Sequence, residues 1–139
     1  MKRIGILTSG GDCGGLNAAI RSIFFRAKKK YKMEVYGIRN GTLGLIKRPL
    51  DVEKLSYKSF KGFLIKQGGT FLGTNSKGNP FRFLQNGKYI DVTKKIAAAY
   101  KSLKLDCLII IGGDGSMKIL KKIADSTDIK IVGIPKTID

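Results

Sequence analysis

The sequence has 139 residues, 42% of them hydrophobic, which suits one domain with a real core. Its formal net charge of +17 would suit nucleic acid, an anionic membrane or anionic substrates, while the absence of histidine removes the commonest zinc ligand. No apolar run approaches the ~20 residues that span a membrane, and the start Lys2-Arg3-Ile4-Gly5-Ile6-Leu7 is too short for a signal peptide, so a cytoplasmic location is expected. The charge is mostly lysine, 21 against 6 arginines, spread along the chain without arrays of arginine and interleaved aromatics. A lysine-rich composition therefore explains it better than steering of anionic ligands, and nucleic-acid binding comes third. Cys13 and Cys107 show no metal-ligand spacing, and no disulfide is expected.

In chain order, residues 2–8 read as a strand and 9–15 as a glycine-rich turn. Residues 16–30 carry Leu16, Ala19, Ile20, Ile23, Phe24 and Ala27 at helical spacing. The dense basic run 26–32 closes that helix, where cations suit the dipole. A second strand over 33–38 completes a βαβ unit, whose crossover is right-handed in nearly all proteins. Residues 39–49 read as loop, with a tight turn at Asn40-Gly41, and 59–66 as a short helix. The glycine- and asparagine-rich stretch 67–80 reads as too polar and flexible for core, and so as a ligand loop. A hairpin with Asn86-Gly87 at its tip is expected over 81–90, then a helix at 92–103, a strand at 106–111, a helix at 116–124 and a strand at 129–134. Strands alternating with helices predict an α/β fold, a Rossmann-like mostly parallel sheet with helices on both faces.

Ligands in such sheets gather at the carboxyl ends of strands, where three informative turns fall. The first, Thr8 to Asn17, holds four glycines but is neither G-x-G-x-x-G nor a Walker A sequence. It is equally a tight strand-to-helix connection, with Asp12 as a helix cap. The second follows the apolar run Cys107 to Ile111 and reads Gly112-Gly113-Asp114-Gly115-Ser116. Bare amides opening a helix attract phosphate. Asp114 can hold the phosphate's Mg²⁺, Gly115 leaves room for a nucleotide, and Ser116 can cap the helix or donate to phosphate. The third turn, Ile134 to Asp139, combines the ammonium of Lys136, the hydroxyl of Thr137 and the carboxylate of Asp139. Such a set can neutralise a phosphoryl group, hold a substrate and accept a hydroxyl proton. Taken alone it is more simply a lysine near the end of a lysine-rich chain.

Together these stretches resemble the 6-phosphofructokinase family. Ile4 to Asp12 with Leu16-Asn17-Ala18-Ala19-Ile20-Arg21 is similar to the family's opening, and Gly68 to Thr74 with Gly78-Asn79-Pro80-Phe81 to its next signature. Ile111 to Ser116 and Gly133 to Asp139 resemble two more, in the family's order. The Gly-Gly-Asp-Gly turn alone would not discriminate, since NAD kinases and diacylglycerol kinases carry similar turns. The resemblance implies the N-terminal part of a phosphofructokinase fold. It further implies transfer of a phosphoryl group from ATP to the 1-hydroxyl of fructose 6-phosphate. By motif, Gly10 contacts the donor phosphates, Gly113, Gly115 and Ser116 belong to the donor site, and Asp114 binds Mg²⁺. Lys77 stands where many relatives have an arginine near those phosphates. Thr137, Ile138 and Asp139 bind the reacting end of the sugar phosphate, with Asp139 as base and Lys136 beside it.

Within the family, glycine at the position of Gly115 goes with ATP, whereas aspartate there goes with pyrophosphate. Lys136 and the loop Gly73 to Phe81 resemble the pyrophosphate-type lineage, so pyrophosphate stays the alternative donor. The family usually has proline or alanine at the position of Gly14, and lysine for arginine at 77 loses a bidentate grip on phosphate. The chain covers less than half of a family member. It is therefore expected to be a truncated nucleotide-binding domain, residues 1–139, without the part that binds the sugar 6-phosphate. Little kinase activity is expected from it alone, and a non-catalytic remnant that at most binds nucleotide is the second reading. Relatives assemble as tetramers.

Overall fold

A computed structural model describes residues 1–11, 13–62, 69–75 and 79–136. Four of its strands run parallel: β1 (Arg3–Ser9), β2 (Glu34–Ile38), β6 (Cys107–Gly112) and β7 (Ile131–Pro135). A short strand β3 (Val52–Lys54) pairs antiparallel with β2, giving the order β3-β2-β1-β6-β7. Strand side chains alternate between two core clusters. Ile4, Ile6 and Ile111 join Leu16, Ile20, Phe24 and Ala27 of helix α1 (Leu16–Tyr31). Leu7, Leu108 and Ile110 join the second cluster, with Leu45 and Ile46 of α2 (Leu43–Ile46), Ile96 and Ala99 of α3 (Thr93–Ser102), and Leu120 and Ile123 of α4 (Asp114–Ser126). Both faces of the parallel sheet are thus covered, as that sheet type requires.

The apolar spacing of α1 meets the sheet along one stripe, and Lys28, Lys29 and Lys30 occupy its last turn. Gly15, with φ +86°, stands at its N-cap position; Asp12, read as a possible cap, lies outside the described residues. The hairpin forms as expected from β4 (Phe83–Gln85) and β5 (Lys88–Ile90). Asn86 and Gly87 both have positive φ, the geometry of a type I′ turn.

Several expectations change. The stretch 39–49 is not all loop, because Leu43–Ile46 makes one helical turn that buries Leu45 and Ile46. β3 has no anticipated counterpart; three residues are too few for a period to show. A 3-10 turn at Tyr57–Phe60 replaces the start of the helix expected over 59–66, and residues 63–66 lie outside the described set. In the stretch read as too polar for core, Leu72 is 1% exposed and packs on Gly37 of β2, where a Cβ would come within 2.6 Å of Leu72 Cδ2. One apolar residue among glycines gives no periodic signal, yet the sheet has a slot only a glycine leaves open. The last strand begins at Ile131, not 129, although Ile129 is itself buried.

Candidate functional site

The order of the strands fixes where a ligand can sit. From β1 the chain crosses through α1 to β2 on one side, and later returns to place β6 on the other side of β1. Connections therefore diverge between β1 and β6, and the carboxyl ends of these two strands flank an open crevice. A cavity of about 540 Å³ lies there. Ser9, Gly10 and Gly11 line it after β1, Gly113 to Ser116 after β6, and Lys136 after β7. The three turns singled out in the sequence thus converge on one space.

Their approach is close. A Cβ on Gly10, whose φ is +87°, would stand 3.4 Å from Ser116 Oγ and 4.0 Å from the Gly113 nitrogen. The left-handed backbone and the nearness of the second turn both call for glycine there. The Ser116 hydroxyl donates to Ser9 Oγ at 3.0 Å, tying the two turns together. The Lys136 N–H donates to the Gly112 carbonyl at 3.0 Å, bringing the third turn in through the sheet ladder.

Helix α4 starts two residues earlier than the sequence suggests. Gly113 is its N-cap and Asp114 its first helical residue, so Ser116 lies inside the first turn and caps nothing. Three glycines around Asp114 hide the start from a propensity reading. The first helical bond runs from the Met117 N–H to the Gly113 carbonyl at 2.9 Å. The N–H groups of Asp114, Gly115 and Ser116 therefore precede the helical ladder, and all three residues line the cavity, a setting that favours an anion.

Gly115 behaves differently from Gly10. Its φ is not positive, and a Cβ there would meet no atom within 4 Å. The protein itself does not demand glycine at 115; only an occupant of the cavity would. Asp114 is exposed and, among the described residues, forms no ion pair. Mg²⁺ commonly takes one or two carboxylates and fills its remaining positions with water and phosphate oxygens, so this single acid beside the N–H groups that open α4 fits such an ion.

The far wall comes from Asn75 and Pro80, within the stretch read as a ligand loop, and from Thr42, Ile119 and Leu120, which the sequence did not flag. Segment 69–75 is latched into place from below. Thr8 is fully buried; its hydroxyl donates to the Gly73 carbonyl at 2.8 Å and lies 3.1 Å from Thr70 Oγ1. Buried Asn17 accepts from the Phe71 N–H at 2.7 Å through Oδ1, and the Thr74 hydroxyl donates to the Gly10 carbonyl at 2.6 Å. These contacts span more than fifty residues in sequence, and no local pattern signals them. Lys77, Thr137, Ile138 and Asp139 lie outside the described residues. Neither cysteine lines the cavity, and burial pushes the Cys107 thiol up.

Comparison with known proteins agrees with this layout. The phosphofructokinase family model matches residues 3–139. ATP-dependent 6-phosphofructokinase 1 of Synechocystis sp. is 53% identical across 100% of this chain, and its namesake from Nostoc sp. is 52% identical across 99%. The chain spans only 38% of the length of either relative. The solved phosphofructokinase of Pichia pastoris in the T-state superposes with a TM-score of 0.81 at 29% identity, over 99% of this chain and 15% of that one. A family match over nearly every residue, and a fold that gathers the matched turns around one crevice, lead to the same conclusion: this chain belongs to the phosphofructokinase family.

Proposed function

We propose that this chain is the nucleotide-binding part of an ATP-dependent 6-phosphofructokinase, an enzyme of glycolysis in the cytoplasm. The observation that carries the reading is the cavity at the β1/β6 divergence, walled by Gly10, Gly113, Asp114, Gly115 and Ser116. In this reading the donor's phosphates lie against the N–H groups that open α4 and against the bare backbone of Gly10. Asp114 holds Mg²⁺, which would neutralise charge on the phosphate oxygens. The open space at Gly115 favours ATP over pyrophosphate, since a carboxylate there would crowd the phosphate nearest the nucleoside. By family motif alone, Lys77 would contribute its ammonium to the donor phosphates.

The acceptor end rests on family motif alone. Thr137, Ile138 and Asp139 would hold fructose 6-phosphate, with Asp139 taking the proton from its 1-hydroxyl as that oxygen attacks the terminal phosphorus of ATP and the bond from that phosphorus to the bridging oxygen breaks, releasing ADP. The Lys136 ammonium would offset the negative charge gathering there. Catalysis in such a site is mostly positioning and electrostatic stabilisation. Among the described residues no helix is long and apolar enough to cross a membrane.

The test is direct titration of the purified chain with ATP, with and without Mg²⁺. Saturable binding that strengthens with Mg²⁺, and loses that dependence in Asp114→Asn, is the expected result. Absence of ATP binding, or binding indifferent to both Mg²⁺ and Asp114, would overturn the assignment.

A further inference from the structure

The peptide between Gly10 and Gly11 borders the cavity with little of its own to hold it. Gly10 has φ +87°, and a Cβ on Gly11 would meet no atom within 4 Å. Turning this peptide over changes only the ψ of Gly10 and the φ of Gly11, and glycine populates both signs of φ about equally. The two orientations are opposite in their effect on an anion. A trans peptide points its carbonyl and its N–H in opposite directions, so one orientation presents a donor where the other presents a negative oxygen. Packing around Gly11 leaves that choice open, and a hydrogen bond makes it. The Thr74 hydroxyl donates to the Gly10 carbonyl at 2.6 Å, at the short end of the range for a hydroxyl donor. The return bond, from the Gly10 N–H to the Asn75 carbonyl, is 3.5 Å long and restrains the peptide before Gly10, not the one after it.

Thr74 does not itself line the cavity. It is held beside Gly10 by the residues before it, through the Thr8 hydroxyl on the Gly73 carbonyl and the Phe71 N–H on Asn17. With the Gly10 carbonyl drawn onto segment 69–75, the Gly11 N–H points away from that segment. Among the described residues this N–H has no hydrogen-bond partner, and Gly11 lines the cavity. We infer that Thr74 is a positioning residue of the donor site: its hydroxyl holds the Gly10–Gly11 peptide with the N–H toward the bound phosphates and the carbonyl away from them. Turn amides fixed in this way form anion-binding concavities. The inference rests on the donor-site reading above and adds a residue that acts through the Gly10 turn without touching the donor.

Titration with ATP and Mg²⁺ tests it in the 139-residue chain, in Thr74→Val and in Thr74→Ser, with the Gly11 amide followed by NMR. Valine keeps the shape and removes the donor; serine keeps the donor. In the parent, saturating ATP should move the Gly11 amide proton downfield, as a new hydrogen bond to a phosphate oxygen does. This measurement does not depend on how T74V folds. In T74V the ATP affinity should fall about three- to tenfold, as for one neutral hydrogen bond, and the Gly11 signal should shift or broaden before any ligand is added. T74S should match the parent in both readouts. A Gly11 amide indifferent to bound ATP, parental affinity in T74V, an equal loss in T74S, or a loss in T74V with the unliganded Gly11 signal unmoved would each overturn the inference while leaving the donor site standing. A parent that binds no ATP would overturn the donor-site reading and this inference with it.

Discussion

Gly115→Asp separates what the fold requires from what the ligand requires. A side chain at 115 would meet no protein atom within 4 Å, and the backbone there is ordinary helix. Position 115 is the second residue of α4, where a carboxylate is favoured by the helix dipole by about 0.3–1 kcal/mol. The folded protein should therefore be as stable as the parent or slightly more so. The ligand sees the opposite. A carboxylate about 5 Å from a phosphate charge is repelled by roughly 1 kcal/mol in bulk water and about 3 kcal/mol at an effective dielectric of 20. ATP affinity should then fall by about fivefold to a hundredfold. Thermal melts without ligand, run beside ATP titrations with Mg²⁺, would read both effects. A melting temperature well below the parent's would show that Gly115 serves the fold. Parental ATP affinity in a stable G115D would show that the phosphates do not pass over α4.

Three further outcomes follow from the packing. In Gly44→Ala the new methyl would lie 2.6 Å from the Arg39 carbonyl oxygen and 2.7 Å from that of Asp51, both rigid backbone; denaturant unfolding should show a loss of about 1–3 kcal/mol or more, and an unchanged midpoint would refute the close approach. Thr8→Val strands the Gly73 carbonyl and should cost about 1–3 kcal/mol by the same measurement, with weaker ATP binding because Asn75, at the end of segment 69–75, lines the cavity; loss of stability without loss of binding would show that the latch is only structural. The Lys54 ammonium bonded to Glu34, helped by Arg3 and opposed by partial desolvation, holds the Glu34 carboxyl below its ordinary 4.5. A depressed carboxylate pKa stabilises the fold above the unfolded value and loses that contribution as pH falls through the folded one. Glu34→Gln should therefore flatten the decline of melting temperature below about pH 4.5, and an unaltered acid limb would remove Glu34 from the account.

Long periodic segments were legible in the sequence because each needs only its own residues to show a face. The spacing of Leu16, Ile20, Phe24 and Ala27 gives α1, and the unbroken run before Gly112 gives a strand buried on both sides. The short pieces were not legible. β3, the single turn of α2 and the burial of Leu72 exist because a neighbour supplies a ladder partner or a slot. Even the start of α4 moved by two residues, since its glycines and Asp114 have poor helix propensity and hold the first turn through the strand before it.

The site divides along the same line. Residue order alone placed three turns at strand ends and gave each its chemistry: bare amides, one acid and one ammonium. Alternation of strand and helix obliges those ends to face one way, so the side of the sheet that carries the candidate site could be read without coordinates. Which turns meet depends on strand order, which is not written locally. Only the folded sheet, by setting β6 beside β1, brings Ser116 to Ser9 and opens the crevice between them. Only the long-range latch from Thr8 and Asn17 carries Asn75 to the far wall.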